Sequence, residues 1–228
     1  MLLLRLVERP MFGQSRPWTP FFTQAVCRCA LIILGIGVRR EGQPICAASG
    51  VVANHSSWLD IFVLNAAQRV YFVAKAEVSA WPGIGLLARA TGTVFVQRRA
   101  RDARRQNDVM QNRLSAGQRL CFFPESTSSD GQRVLPFKST LFEAFLRDER
   151  RLDTAIQPVS IAYSPPAGED IRFYGWWGDM VFAPHLLKVL AVAKQGLVQI
   201  RYHPPLRVGD FPDRKALAAA CEAAVRSV

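Results

Sequence analysis

Beyond residue 42, apolar residues come in short runs bounded by Gly, Pro and polar breakers, separated by longer stretches in which they recur every three or four positions. The short runs at 47–53, 70–74, 93–96 and 119–123, and later at 155–163, 171–176 and 198–203, predict strands by their length and flanks. The intervening stretches 58–68, 81–90, 102–116, 138–147, 184–193 and 214–225 predict helices. Strands alternating with helices predict an α/β domain, a mixed and largely parallel sheet flanked by helices. Inside that domain only 164–170 (SPPAGED) reads as a linker-like surface loop, and there are no internal repeats.

The amino-terminal forty residues have another texture. They carry Arg5, Arg9, Arg16, Arg28, Arg39 and Arg40, a single Glu, and neither Lys nor Asp. Residues 21–38 are strongly apolar but include Gln24 and Arg28. A spanning helix needs about 20 mainly apolar residues, and a central Arg costs about 2.5–3.5 kcal/mol on insertion scales. The expectation is therefore an interfacial or re-entrant helix rather than a full span. No small-residue cleavage site follows, which argues against a secretory signal, and the low Ser content argues against an organellar transit peptide. The chain divides into 1–40, an N-terminal membrane-associated helical region, and 41–228, the α/β domain, with the hinge at Arg39-Arg40-Glu41-Gly42.

Length and charge narrow the setting. A chain of 228 residues suits one domain with a real core. Half of it is hydrophobic, and 29 Lys+Arg against 18 Asp+Glu leave a net charge of +11, which calls for an anionic partner. No nucleic-acid-binding signature accompanies the charge, so the apolar excess favours an anionic membrane surface over nucleic acid. The five cysteines are odd in number, and Cys27 and Cys29 are too close for an ordinary disulfide. A reducing cytoplasm fits them, and no metal-ligand spacing is present.

Three blocks carry candidate chemistry. Asn54-His55-Ser56-Ser57-Trp58-Leu59-Asp60 lies at a strand-to-helix junction, where open α/β sheets place their sites. With His55 in the turn and Asp60 in the first helical turn, the carboxylate can fold back onto the imidazole, hold one tautomer and stabilise the imidazolium. The alternative is plain capping, with Ser57 as N-cap, Asp60 three residues on, and His55 a bystander. In the second block, 121–131, an apolar strand runs into Pro124, Glu125 and three consecutive hydroxyls, Ser126, Thr127 and Ser128, which suit a polyol or headgroup. The competing reading is an ordinary turn. The third block, 92–99, puts Arg98 and Arg99 at a strand end, where the planar guanidinium fork suits phosphate. Arg101, Arg104 and Arg105 read as a solvated helix face. His185 and His203, beside prolines, read as structural.

These blocks, in this order, resemble the glycerolipid acyltransferase family, whose best-known members acylate lysophosphatidic acid. The HxxxxD motif matches at His55 and Asp60, and the GxxFxxR block at Gly92, Phe95 and Arg98. The FPEGT block matches at Phe123, Pro124, Glu125 and Thr127, with Ser126 in place of Gly, and a Pro-containing hydrophobic strand matches at Pro158. Two departures stand out. The family typically carries Arg one residue after the FPEGT Thr, where this chain has Ser128. The stretch 127–142 with 174–180 and 183–186 resembles the bacterial branch that acylates lyso-ornithine lipid, an acceptor without phosphate.

The resemblance implies that His55 is the general base, oriented by Asp60, and that Gly92, Phe95, Arg98, Glu125, Ser126 and Thr127 bind substrate. It implies acyl transfer from acyl-CoA or acyl carrier protein to the hydroxyl of a lyso-lipid, either lyso-ornithine lipid or 1-acylglycerol-3-phosphate. No cofactor or metal is needed, because the thioester is itself the co-substrate, and no acyl-cysteine forms. The implied location is the cytoplasmic face of the bacterial inner membrane. The rival of another class is a non-catalytic lipid-binding protein on the same scaffold.

Overall fold

In the computed structural model, which describes residues 2–13, 15–47, 49–81, 83–97, 103–147 and 152–227, one mixed sheet organises the chain. Its strands are β1 (Gly37–Glu41), β2 (Ser49–Ala53), β3 (Tyr71–Lys75), β4 (Val94–Val96), β5 (Leu120–Phe122), β6 (Ala155–Ser164), β7 (Leu197–Tyr202) and β8 (Leu206–Arg207). They run in the order β1-β7-β6-β2-β5-β3-β4, with β8 added beside β6. All pairings are parallel except those of β6 with β7 and with β8.

Strand alternation sends successive side chains to opposite faces, and here both faces are covered. On one face Val51, Ala53, Cys121, Phe72, Val159 and Ile161 pack under α2 (Thr19–Leu34), α3 (Leu59–Ala67) and α7 (Phe182–Leu190). On the other, Val52, Leu120, Phe122, Val73 and Ile156 pack under α5 (Ala103–Ser115), α6 (Glu143–Leu146) and α8 (Arg214–Arg226). Two further helices, α1 (Leu2–Phe12) and α4 (Ile84–Thr91), complete the set. The largely parallel sheet flanked by helices is the expected architecture.

Several elements differ from the pattern. The run 171–176 is not a strand but a succession of turns. Phe173 and Tyr174 are consecutive and both fully buried. The Tyr174 hydroxyl fastens the segment, donating to Gln195 Oε1 (2.8 Å) and accepting from the Gly196 N–H (2.7 Å). The helix expected over 138–147 is a 3-10 turn at Ser139–Phe142 followed by the short α6. β1 takes up three of the four residues expected to be a hinge, Arg39 to Glu41, and pairs in parallel with β7.

The N-terminal helices are tied to the domain by polar contacts. Trp18, the N-cap of α2, offers no capping side chain. Glu8 of α1 supplies one from outside, accepting from the N–H groups of Trp18 (2.8 Å) and Thr19 (3.0 Å) and from the Thr19 hydroxyl. A carboxylate there satisfies orphan N–H groups and complements the helix dipole. Burial pushes the Glu8 carboxyl up, but Thr19, Arg5 and the N–H donors outweigh it and hold it at about 2. Gln24 and Arg28 of α2 both donate to the Ala66 carbonyl in the last turn of α3 (3.4 and 2.9 Å). No helix among the described residues is long and apolar enough to cross a membrane.

Candidate active site

The carboxyl ends of β2, β3 and β5 converge on one groove of about 390 Å3. β2 ends at Ala53, and Asn54 continues its ladder with a side chain. Asn54 Nδ2 donates to the Ile161 carbonyl and Oδ1 accepts from the Ile161 N–H, both at 2.8 Å, so the amide substitutes for a strand residue against β6. The chain then turns, and His55 reaches the groove.

His55 Nδ1 lies 2.8 Å from Asp60 Oδ2, and Asp60, the second residue of α3, is fully buried. The same oxygen accepts from the N–H groups of Ser56 (2.8 Å) and Ser57 (3.0 Å). The other oxygen, Oδ1, accepts from the Tyr163 hydroxyl at 2.7 Å. Asp60 thus holds the imidazole and also fastens the turn ahead of α3; the N-cap of that helix is Trp58 rather than Ser57, and no side chain caps it. With Nδ1 engaged, Nε2 is the ring nitrogen left for a ligand. The ring itself stacks on Phe123, with centroids 4.1 Å apart and planes within 12°. The imidazole is therefore fixed in direction by a hydrogen bond and in plane by an aromatic face.

The β5 end approaches from beside it. Glu125 is buried, and each of its oxygens accepts a backbone N–H, from His55 (2.6 Å) and from Leu135 (2.7 Å). Burial raises its carboxyl to about 7 against the pull of those two donors. The carboxylate is committed to the chain: it ties the 123–128 loop to the His55 turn, and it does not line the groove. Ser129 N–H to the His55 carbonyl (2.8 Å) is a second tie. Ser126, Thr127 and Ser128 line the groove.

Ser126 has φ 65°, the only positive φ of a non-glycine residue among those described. Left-handed backbone costs an L-residue about 1–2 kcal/mol, which glycine avoids. Ser126→Gly is therefore expected to stabilise the protein by about 1 kcal/mol, read from the denaturant midpoint, and a loss of stability would refute the argument.

The third block divides. Gly92 is not at the groove: with φ 91° it is the C-cap of α4, and an added Cβ would meet the Arg16 guanidinium and the Tyr71 ring at 2.9 Å. Its reading as a substrate contact gives way to one as a helix stop. Phe95 is half-buried in β4, in register with groove-lining Ala74 on β3. Arg98, Arg99 and Arg101 lie outside the described residues. Arg104 and Arg105 are exposed on α5.

The other walls are aromatic: Trp58 falls in the first block and Trp176 and Trp177 in the stretch 174–180 that carries the branch resemblance, while Phe72, Trp81 and Phe182 had no reading as site residues. Trp58, Trp81, Trp176, Trp177, Phe72 and Phe182 line the groove, with Trp176 held by its backbone N–H, which donates to the Ser56 carbonyl (2.8 Å). Phe72 and Trp81 lie in runs that predict a strand and a helix, so their patterning points to packing rather than to a site. Tyr163 also escaped notice, because its role depends on β6 lying beside β2. His185 Nδ1 accepts from the Trp58 indole (3.0 Å) and His203 Nε2 meets the Ser160 hydroxyl (2.8 Å), so both histidines are packing groups.

With this geometry in place, comparison with known proteins is direct. An acyltransferase family profile matches residues 48–162. A lyso-ornithine lipid O-acyltransferase from Rhodobacter capsulatus is 57% identical over 226 residues, spanning 99% of this chain and 82% of that protein. One of the same name from Brucella abortus is 39% identical, spanning 95% and 83%. A 1-acyl-sn-glycerol-3-phosphate acyltransferase from Neisseria meningitidis is 30% identical, spanning 87% and 76%. Among solved structures, the 1-acyl-sn-glycerophosphate acyltransferase of Thermotoga maritima shares the fold, with a TM-score of 0.64 at 24% identity over 91% of this chain and 76% of that one. The matched segment contains the His55–Asp60 pair, the 123–128 loop and the start of β6, and the chain belongs to the acyltransferase family.

Proposed function

We propose that this protein moves a fatty acyl group from acyl-CoA or acyl carrier protein to the hydroxyl of lyso-ornithine lipid at the cytoplasmic face of the inner membrane. The observation that carries the chemistry is the Asp60–His55 contact through Nδ1, which leaves Nε2 for the groove. In the proposed reaction Nε2 takes the acceptor proton as the oxygen attacks the thioester carbonyl. The tetrahedral intermediate then expels the thiolate as the C–S bond breaks, and the imidazolium returns the proton to sulfur. Asp60 fixes the tautomer and stabilises the imidazolium. Tyr163 and the Ser56 and Ser57 N–H groups position Asp60, and Glu125 positions the loop that carries the three hydroxyls. No cofactor or metal enters these steps. The aromatic walls suit an acyl chain.

The acceptor is argued from Ser128. It lines the groove where the family's typical second Arg would stand. Losing a charge-assisted hydrogen bond costs about 1.5–3 kcal/mol, a factor of roughly ten to a hundred and fifty. An acceptor without phosphate loses nothing by the change, and two of the relatives above carry the lyso-ornithine name. Purified protein is expected to show the higher kcat/KM with lyso-ornithine lipid than with lysophosphatidate, and Ser128→Arg is expected to narrow the gap. Wild-type kinetics tenfold better on lysophosphatidate would reverse the acceptor, and no transfer to either would favour the lipid-binding rival.

Membrane association is supported by the outer faces of α1 and α2. Leu3, Leu6, Met11, Phe21, Ile32 and Ile33 are 58–83% exposed there. A helix of 16 residues rises about 24 Å, short of the roughly 30 Å hydrocarbon core. The N-terminal region is thus read as lying in one interface with Arg residues toward the headgroups.

A further inference from the structure

A cleft of about 500 Å3, apart from the His55 groove, lies between α1 and α4 and is lined by Arg5, Arg9, Arg16 and Arg89 together with Leu86 and Ala90. Four guanidinium groups in one concavity repel each other, and the nearby carboxylate does not neutralise them. Glu8 pairs with Arg5 at 2.7 Å but is otherwise turned inward to cap α2. Arg16 is anchored by its terminal nitrogens on the Ala90 (2.6 Å) and Arg89 (3.4 Å) carbonyls, while its buried Nε has no partner among the described residues. Arg9 is exposed and has no partner among the described residues, and Arg89 uses one nitrogen on the Ser79 carbonyl (2.8 Å). Burial, with repulsion from Arg5 and Arg113, brings Arg16 down to about 10.

We infer that this cleft is a binding site for a phosphate group, carried by the headgroup of an anionic lipid. Several guanidinium forks converging on a pocket match the geometry of a phosphate and bind it through charge-assisted bonds. The lipid source is favoured by the surroundings. Leu86 is in the lining and half-exposed, and Leu87 beside it and Leu3, Leu6 and Val7 on α1 are exposed along the same two helices, where acyl chains would lie. The inference rests on the proposed placement of the N-terminal helices at the membrane, and it gives that region a specific headgroup contact in place of diffuse attraction.

The test uses the full-length protein with phosphatidylcholine vesicles, with and without phosphatidylglycerol, at physiological ionic strength, where the Debye length is about 8 Å. Two double variants remove the same charge: Arg9→Gln/Arg89→Gln in the cleft and Arg39→Gln/Arg40→Gln on the exposed face of β1. The cleft variant is expected to lose about tenfold or more of its preference for phosphatidylglycerol, and the β1 variant much less. Arg9→Gln alone, at an exposed side chain with no partner among the described residues, is expected to show part of that loss without any effect on folding. A second arm omits vesicles and follows Tm against inorganic phosphate. A rise seen in wild type and in the β1 variant but not in the cleft variant assigns the site to free phosphate as well as to lipid. Equal losses in the two double variants, or no loss in the cleft variant in either arm, would overturn the site. Neither arm measures acyl transfer, so failure of the proposed reaction and failure of this site are read separately.

Discussion

Purified His55→Ala is expected to lose acyl transfer by a factor of about 10²–10⁴, the usual contribution of a positioned general base, while keeping its fold. The imidazole makes one hydrogen bond to Asp60 and one stack on Phe123, and its side chain is 19% exposed, so alanine leaves a partly solvated gap rather than a sealed cavity. Asp60→Asn should also lose activity strongly, with a different signature. Oδ2 serves three donors and Oδ1 a fourth, and an amide can accept on one side only. One buried donor set is then left facing an NH2 group, at about 1–3 kcal/mol of stability for each unmatched group. Tyr163→Phe removes only the outermost contact and should lower kcat severalfold with KM little changed, because Tyr163 acts through Asp60. His55→Ala turning over at the wild-type rate would end the general-base assignment.

Deleting residues 1–41 is expected to unfold or aggregate the protein rather than release a soluble catalytic domain. A detachable anchor would have no buried inner face, but α2 has one: Cys27 and Leu31 are 6% and 2% exposed, and Ile36 just beyond it is 5% exposed. All three belong to the cluster that contains Leu59, Val63 and Leu64 of α3, the helix that carries Asp60. Burying a side chain of this kind stabilises by about 1.5–3 kcal/mol, and the deletion also strips β1 from β7 along the register Gly37↔Leu197 to Glu41↔Arg201. The summed loss is comparable with the whole stability of a domain, about 5–15 kcal/mol. Leu31→Ala is the graded version, expected to cost about 2–5 kcal/mol in chemical denaturation. A truncated protein with an unchanged denaturation midpoint would show that the helix is an appendage.

The local chemistry of this protein was written in its sequence. The turn that brings Asp60 back onto His55 spans five residues, and the order of strand, turn and helix around it follows from periodicity and breakers. Local signals also place the hydroxyl loop after β5, because an apolar strand ending in Pro has few continuations. What lay beyond the sequence is what depends on residues far apart in the chain. Asp60 needs Tyr163, 103 residues away, and the pairing of β2 with β6 is a tertiary event. Glu125 reads as a ligand group until the fold shows its two oxygens spent on His55 and Leu135. Gly92 reads as part of a substrate block until its φ and its neighbours Arg16 and Tyr71 mark it as a helix stop. The run 171–176 has the composition of a strand, but its turns bury Phe173 and Tyr174 side by side and fasten the Tyr174 hydroxyl to Gln195 and Gly196, partners that only the tertiary structure supplies. Polar partners and strand order are set by which surfaces meet when the core closes, and one-dimensional pattern carries no record of that meeting.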